Sequence, residues 1–191
     1  QGNSNAKKLL DLFTKQNIIN KLTSDELFQQ GLKAYKKKDY KKALEKFKPL
    51  SEQGHAKAQS YLGYMYLNGE GVPQDDKDAV KWFRLAAKQG DASAQNHLGF
   101  MYAYGGGVQK DYKEAVRLYR LSAEQGNALA QSRLGLMYAR GLGVLQDYKE
   151  AVRLYRLSAQ QGFVDAQLEL GGMYERGLGV PQDYVSAHMW F

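Results

Sequence analysis

The sequence predicts an all-α chain folded as an α-α superhelix, a right-handed solenoid of helix-turn-helix units. Three observations carry that prediction. Glycines recur with a 36-residue period: Gly54, Gly90, Gly126 and Gly162, and the pairs Gly69/Gly71, Gly105/Gly107, Gly141/Gly143 and Gly177/Gly179, each pair followed by Val. Between the glycines, apolar residues repeat at helical rather than strand spacing. The stretch DYKEAVRLYRLSA is written twice, from Asp111 to Ala123 and again from Asp147 to Ala159. An active site needs its constellation once, whereas a wall of stacked units needs the same stretch many times.

The elements follow in chain order. Residues 5–22 read as an amphipathic helix carrying Leu9, Leu10, Phe13, Ile18, Ile19 and Leu22, so residues 1–24 are assigned as an N-terminal capping helix or a tether to another protein. Thr23 followed by Glu26 is a helix-start signal. Residues 25–54 form a helical pair that lacks the G-x-G-V turn but keeps Gly31, Asp39-Tyr40, Ala43 and Phe47. Full units follow at 55–90, 91–126 and 127–162, and a partial one at 163–191.

Each unit reads as two helices. Ala94, Leu98, Met101 and Tyr102 lie on one face of the first; Ala115, Leu118, Tyr119, Ser122 and Ala123 lie on one face of the second. Asp111 with Glu114, and Asp147 with Glu150, start second helices. Gly105-Gly106-Gly107 ends a first helix and Gly126 ends a second. Gly63, Gly99, Gly135 and Gly171 fall inside first helices, where glycine costs ~1 kcal/mol relative to alanine. Close approach of the partner helix through Ala79, Ala115, Ala151 and Ala187 is the expected reason. The last segment, Ala187–Phe191, corresponds to Ala79–Phe83, which continues to Gly90. The intact protein is expected to continue past Met189-Trp190-Phe191 or to be capped there by another molecule, since an array needs a polar end. Gln1 fits either a removed leader or a start within a longer chain.

Composition narrows the chemistry. The 191 residues are 43% hydrophobic, enough for a packed core, and include no cysteine, which removes disulfides, thiolate metal sites and a cysteine nucleophile. No apolar run approaches the ~20 residues of a membrane-spanning helix. Residues 1–50 hold 12 Lys and 5 acidic residues, so the whole formal charge of +7 arises in the N-terminal quarter. Lys33, Lys36, Lys37, Lys38, Lys41 and Lys42 form a solvated helical face or an electrostatic dock for an acidic partner. Tyr35, Tyr40 and Phe47 are interleaved there, but their period assigns them to the core, which weakens a nucleic-acid reading.

Catalytic motifs are poor. His55, His97 and His188 lie in different units without metal-ligand spacing, so neither a metal nor a cofactor is expected. Ser4-Asn5-Ala6-Lys7 fits S-x-x-K, but no S-D-N or K-T-G accompanies it. The G-x-G-V turns lack the Lys-Ser/Thr of a phosphate loop. Tyr66, Tyr102, Tyr138 and Tyr174 are assigned to core packing. Gln59, Gln95, Gln131 and Gln167 are assigned to hydrogen bonds with the neighbouring unit's turn. Arg117, Arg120, Arg153 and Arg156 are assigned to a convex, solvated surface rather than an anion-binding strip.

The stretch AQSRLGLMYARGLGVLQDYKEAVRLYRLSAQQG, Ala130–Gly162, resembles the Sel-1-like repeat family, relatives of tetratricopeptide repeats; residues 25–54 are more similar to a plain tetratricopeptide unit. The resemblance implies that first helices line a concave face that binds partners. Carried over, the partner-binding candidates are Tyr61, Tyr64 and Leu67, then Asn96, His97, Phe100 and Tyr104. The next units contribute Arg133, Leu136 and Arg140, then Leu168, Glu169 and Arg176. Tyr64, Phe100 and Leu136 share one row, which either forms a groove for peptide side chains or packs between first helices.

The expectation is a non-catalytic scaffold that binds a protein or peptide, with no nucleic acid and no membrane span. As the resemblance implies, it would act in bacterial envelope assembly or host interaction, periplasmic or extracellular, with the cytoplasm as the alternative. It is read as a monomer, or as packed end to end through the terminal repeat. A β-lactam-binding or hydrolase-type enzyme, and nucleic-acid binding through the basic N-terminal unit, are the competing readings.

Overall fold

The computed structural model describes residues 23–191, and all regular structure among them is helical. The helix read at 5–22 and the Ser4–Lys7 motif lie outside the described residues. Helix α1 covers residues 23–36, with Thr23 already helical. It is followed by α2 (Tyr40–Glu52), α3 (Ala56–Asn68), α4 (Asp76–Lys88), α5 (Ala92–Tyr104) and α6 (Tyr112–Glu124). The series continues with α7 (Ala128–Arg140), α8 (Tyr148–Ala159), α9 (Val164–Arg176) and α10 (Tyr184–Trp190). Each helix from α3 to α9 packs against the helix before it and the helix after it, and the first helices α3 and α5 also touch. The result is a helix-turn-helix solenoid.

The caps lie where the glycines and aspartates place them. Asp111 accepts hydrogen bonds from the Lys113 and Glu114 N–H groups at 2.9 and 3.1 Å, opening α6. Glu114 does not complete a capping box; it pairs with Arg117 at 2.6 Å. Gly105 ends α5 in the left-handed conformation at φ 79°, a backbone state that a Cβ disfavours. The second turn glycine has another task. A Cβ on Gly107 would run into the backbone of Asp76 and Lys77, at the start of the preceding unit's α4. The G-x-G-V turn therefore both stops a helix and seats one unit on the last.

The mid-helix glycines have a steric cause, and it differs from the expected one in its main contact. A Cβ on Gly99 would lie 2.8 Å from the Tyr119 ring and 3.3 Å from the Ala115 carbonyl. Phe83 covers Gly63 at 2.8 Å, Tyr155 covers Gly135 at 3.0 Å and Phe191 covers Gly171 at 2.6 Å. The small alanines let the backbones approach, but the object filling the space is an aromatic ring. Gly31 sits under Phe47 in the same way, at 2.5 Å. That pair is 16 residues apart, whereas Gly63 and Phe83 are 20 apart, the difference being the turn residues the first pair lacks.

Polar side chains bind unit to unit. Gln125 donates to Gln95 at 2.8 Å, and Gln95 donates to the Ala87 carbonyl of the preceding unit at 3.4 Å. Gln89 with Gln59, and Gln161 with Gln131, repeat this relay. The tyrosine stripe is half-buried rather than enclosed, with its hydroxyls held from the side. Arg84, Arg120 and Arg156 donate to the hydroxyls of Tyr102, Tyr138 and Tyr174 at 2.9, 2.9 and 2.8 Å. The arginine strip read as simply solvated is thus split. Arg117 and Arg153 pair within their helices, while Arg120 and Arg156 clamp the next unit.

The core runs across the joints between units, for example where Ala79, Val80 and Phe83 of α4 meet Leu98 and Met101 of α5. At the far end, Trp190 rests on the core of α8 and α9, while Val185, Met189 and Phe191 are exposed.

Gly99→Leu should force Tyr119 out of its seat and cost ~1–3 kcal/mol, the usual range for overpacking. Thermal melting checks this; an unchanged midpoint would remove the steric explanation.

Candidate partner-binding groove

The first helices lie beside one another, and side chains from neighbouring ones line shared cavities. Three consecutive ones, α1, α3 and α5, line an open, shallow pocket of about 590 Å³. Its wall is aromatic because α1 places Phe28, Leu32 and Tyr35 four and three residues apart, and α3 places Tyr61 and Tyr64 three apart. Tyr61 stacks on the fully buried Phe47 at 5.1 Å between centroids and meets Tyr35 edge-on at 5.4 Å. The Tyr35 hydroxyl donates to Glu70 at 2.5 Å; burial, followed by this hydrogen bond to the carboxylate, raises its pKa. Lys57, Ser60, Asp91 and Ser93 supply the polar rim.

His97 closes the pocket on the α5 side. Its ring stacks on Phe83 at 5.1 Å and 9°, and meets Tyr64 edge-on at 5.3 Å. Its Nδ1 lies 2.8 Å from the Ser93 carbonyl, a contact in which Nδ1 carries the proton. Burial lowers its pKa despite that hydrogen bond, so the imidazole is neutral near pH 7.

The structure therefore brings Tyr61, Tyr64 and His97 together. A second cluster lies between α5 and α7. The Arg133 guanidinium bonds Asn96 Oδ1 at 3.0 Å and sits 4.8 Å from the Phe100 ring centroid. Phe100 meets Tyr104 at 4.5 Å. Leu136 and Arg140 line a small cavity beside them. Phe100 and Tyr64 also rest on the core of α4 and α5, so their row is shared between packing and groove. Leu67 belongs to that core edge. Leu168, Glu169 and Arg176 stand exposed on α9, away from both clusters.

The lysines Lys33, Lys36, Lys37, Lys38, Lys41 and Lys42 are all exposed around the α1–α2 turn. Tyr35, Tyr40 and Phe47 point inward among the aromatics of the first core. Sequence reasoning missed the α1 wall of Phe28, Gln29 and Leu32, which carry no sign in the sequence beyond an apolar helical spacing. It also missed Lys110, which sits in a turn.

Among the described residues, no group of three His, Asp or Glu could hold a metal ion. No described helix is long and apolar enough to cross a membrane.

Comparison with known proteins sets this geometry in context. The Sel1 repeat family model matches residues 24–55, 56–91, 92–127, 128–163 and 164–191. The first match takes in the helical pair without the G-x-G-V turn. A protective antigen of uropathogenic Escherichia coli with an SLR fold is 38% identical, with a TM-score of 0.81 over 92% of this chain and 39% of that one. A Sel1 repeat protein from Oxalobacter formigenes is 36% identical, with a TM-score of 0.80 over 86% of this chain and 65% of that one. An exopolysaccharide production negative regulator of Rhizobium leguminosarum bv. viciae is 41% identical over 51 residues, 27% of this chain and 19% of that protein. The chain spans less than two thirds of each of these relatives.

His97 should titrate below the ordinary histidine value of about 6.5. Because its folded pKa is depressed, the unfolded chain binds the proton more readily, and stability should fall as pH drops through that value. Proton NMR of the ring reports the midpoint, and His97→Gln should flatten the pH dependence. A midpoint at or above 6.5 would contradict the buried, neutral assignment.

Proposed function

The chain belongs to the Sel1 repeat family, and from that premise we propose that it is a non-catalytic scaffold whose concave side holds an extended segment of a partner protein. Sel1 repeat proteins typically mediate protein–protein interaction. The observation that carries the reading is the aromatic pocket across α1, α3 and α5, where Tyr61, Tyr64 and His97 converge with Phe28 and Tyr35. Large, well-braced aromatics over a concave surface are the usual anchors for a partner's apolar side chains. Their rings are fixed by stacking on Phe47 and Phe83, so little side-chain freedom is lost on binding.

The exposed lysines around the α1–α2 turn flank one end of this pocket and serve as an electrostatic dock that steers an acidic partner. A nucleic-acid role finds less support there, since the interleaved Phe47 is enclosed and unable to stack on a base. A place in envelope assembly or host contact, outside the cytoplasm, draws support from bacterial relatives. One is described as a protective antigen of a pathogen and another as a regulator of exopolysaccharide production.

Affinity capture from the native host tests the groove, using wild type and a folded Tyr61→Ala/Tyr64→Ala variant. A partner held by wild type and lost from the variant supports the reading; equal recovery moves the site elsewhere. Replacing Lys36, Lys37 and Lys38 by Gln should lower the association rate and flatten its salt dependence, since exposed charges are screened within about 8–10 Å at physiological salt. An unchanged rate would take the lysines out of the encounter.

A further inference from the structure

Among the described residues, one cation beside the first-helix row is built in without a counter-charge. Arg133 is largely withdrawn from solvent on α7, and its two contacts are neutral: Asn96 Oδ1 at 3.0 Å and the face of Phe100 at 4.8 Å. Asn96 is itself only 1% exposed. Burial draws the Arg133 pKa below the usual arginine range, and the groups that oppose this are the phenols of Tyr119 and Tyr104, not a carboxylate. A withdrawn charge lacking an ionic partner is costly, and pairing would relieve that cost.

The surroundings extend the same sign. The cavity beside Arg133, about 140 Å³, is lined by the cations Lys110, Arg133 and Arg140, the phenols Tyr104, Tyr112 and Tyr119, and otherwise by apolar residues. No acidic residue lines it. The architecture does not require these cations. The positions equivalent to Lys110 in the next two units are Gln146 and Gln182, which donate to the Ala139 and Glu175 carbonyls at 2.7 and 2.9 Å. Lys110 instead lies over the Tyr112 ring at 4.5 Å. The position equivalent to Arg133 is Tyr61, His97 or Glu169 in the other units.

We propose that the α5–α7 junction is a carboxylate subsite that receives an aspartate or glutamate side chain of the docked polypeptide. Arg133 presents its fork to the two oxygens, as guanidinium groups do with carboxylates. Lys110 and Arg140 enclose the charge from the turn side, and the phenols offer further donors. The small cavity suits a carboxyl group on a short stem, and Leu136 and Leu142 cover that stem. This deepens the scaffold reading, on which it rests for the presence of a polypeptide in the groove.

The test needs no native partner, so its outcome is separate from that of the capture experiment. N-acetyl-glutamate methylamide is titrated into the labelled protein while the arginine Nε–H and Tyr119 signals are followed by NMR. The neutral N-acetyl-glutamine methylamide and inorganic phosphate are run alongside. The acid should shift Arg133 saturably and the neutral analogue should not. Arg133→Gln should abolish the response. Lys110→Gln, which restores the residue used in neighbouring units and so keeps the fold, should weaken it by about tenfold. No shift with the acid, equal shifts with the neutral analogue, a response to phosphate alone, or full binding by Lys110→Gln would each overturn the proposal.

Discussion

The structure depends on an aromatic ring packed directly against a residue with no side chain. Gly99 under Tyr119 is the central example, and the same contact recurs at Gly31 under Phe47, Gly63 under Phe83 and Gly135 under Tyr155, whereas the Phe191 ring over Gly171 stays exposed. A helix that contains such a glycine sacrifices intrinsic propensity, and the sacrifice is offset by a large ring removed from water at the closest possible helix approach. Tyr119, Tyr155, Phe47 and Phe83 are among the most enclosed side chains of the chain. Once this seat fixes the pair, the outward rows of the first helices are fixed as well. The groove inherits its geometry from the same seats, since Tyr61 stacks on Phe47 and His97 on Phe83.

Two further contacts turn pairs into an array. Gly107 admits the backbone of α4, and the glutamine relay through Gln125, Gln95 and Ala87 crosses the same boundary. These residues are occupied with holding the stack together. The rows they leave free vary in kind from unit to unit: Tyr61, His97, Arg133 and Glu169 occupy one equivalent position with four different chemistries. Aromatic side chains at the α1–α5 end and cations at the α5–α7 junction are therefore separate features of the first-helix rows.

Much of the fold was legible because its determinants are local and repeated. The period, the turn glycines, the capping aspartates and the glutamine bonds all follow from spacing within one or two units. The contacts that escaped are those whose partner lies far along the chain or differs in chemistry between units. Phe83 and Tyr119 hold the same seat but share no letter, so alanine drew the attention instead. Arg120 looked solvated because its partner, the Tyr138 hydroxyl, is 18 residues away on the next unit. Arg133 was named as a groove residue, but nothing near it in sequence signals that it would be withdrawn from solvent without a carboxylate. Phe28 and Leu32 were hidden for the opposite reason, since an apolar helical stripe gives no sign of which side of it a partner will see.

The glycine and glutamine contacts that join the full units have one property in common: they grip main-chain atoms, or glutamines that recur at the same place in successive units. Gly107 meets the backbone of Asp76 and Lys77, Gly143 that of Tyr112 and Lys113, and each glutamine finds another glutamine and a carbonyl. A joint of that kind is indifferent to what its neighbour displays. Copying or excising one 36-residue segment would preserve these joints at both new seams, while side-chain contacts between first helices, such as Arg133 with Asn96, would be re-paired. Asp111–Ala123 and Asp147–Ala159, identical letter for letter, show how completely one second helix can stand in for another.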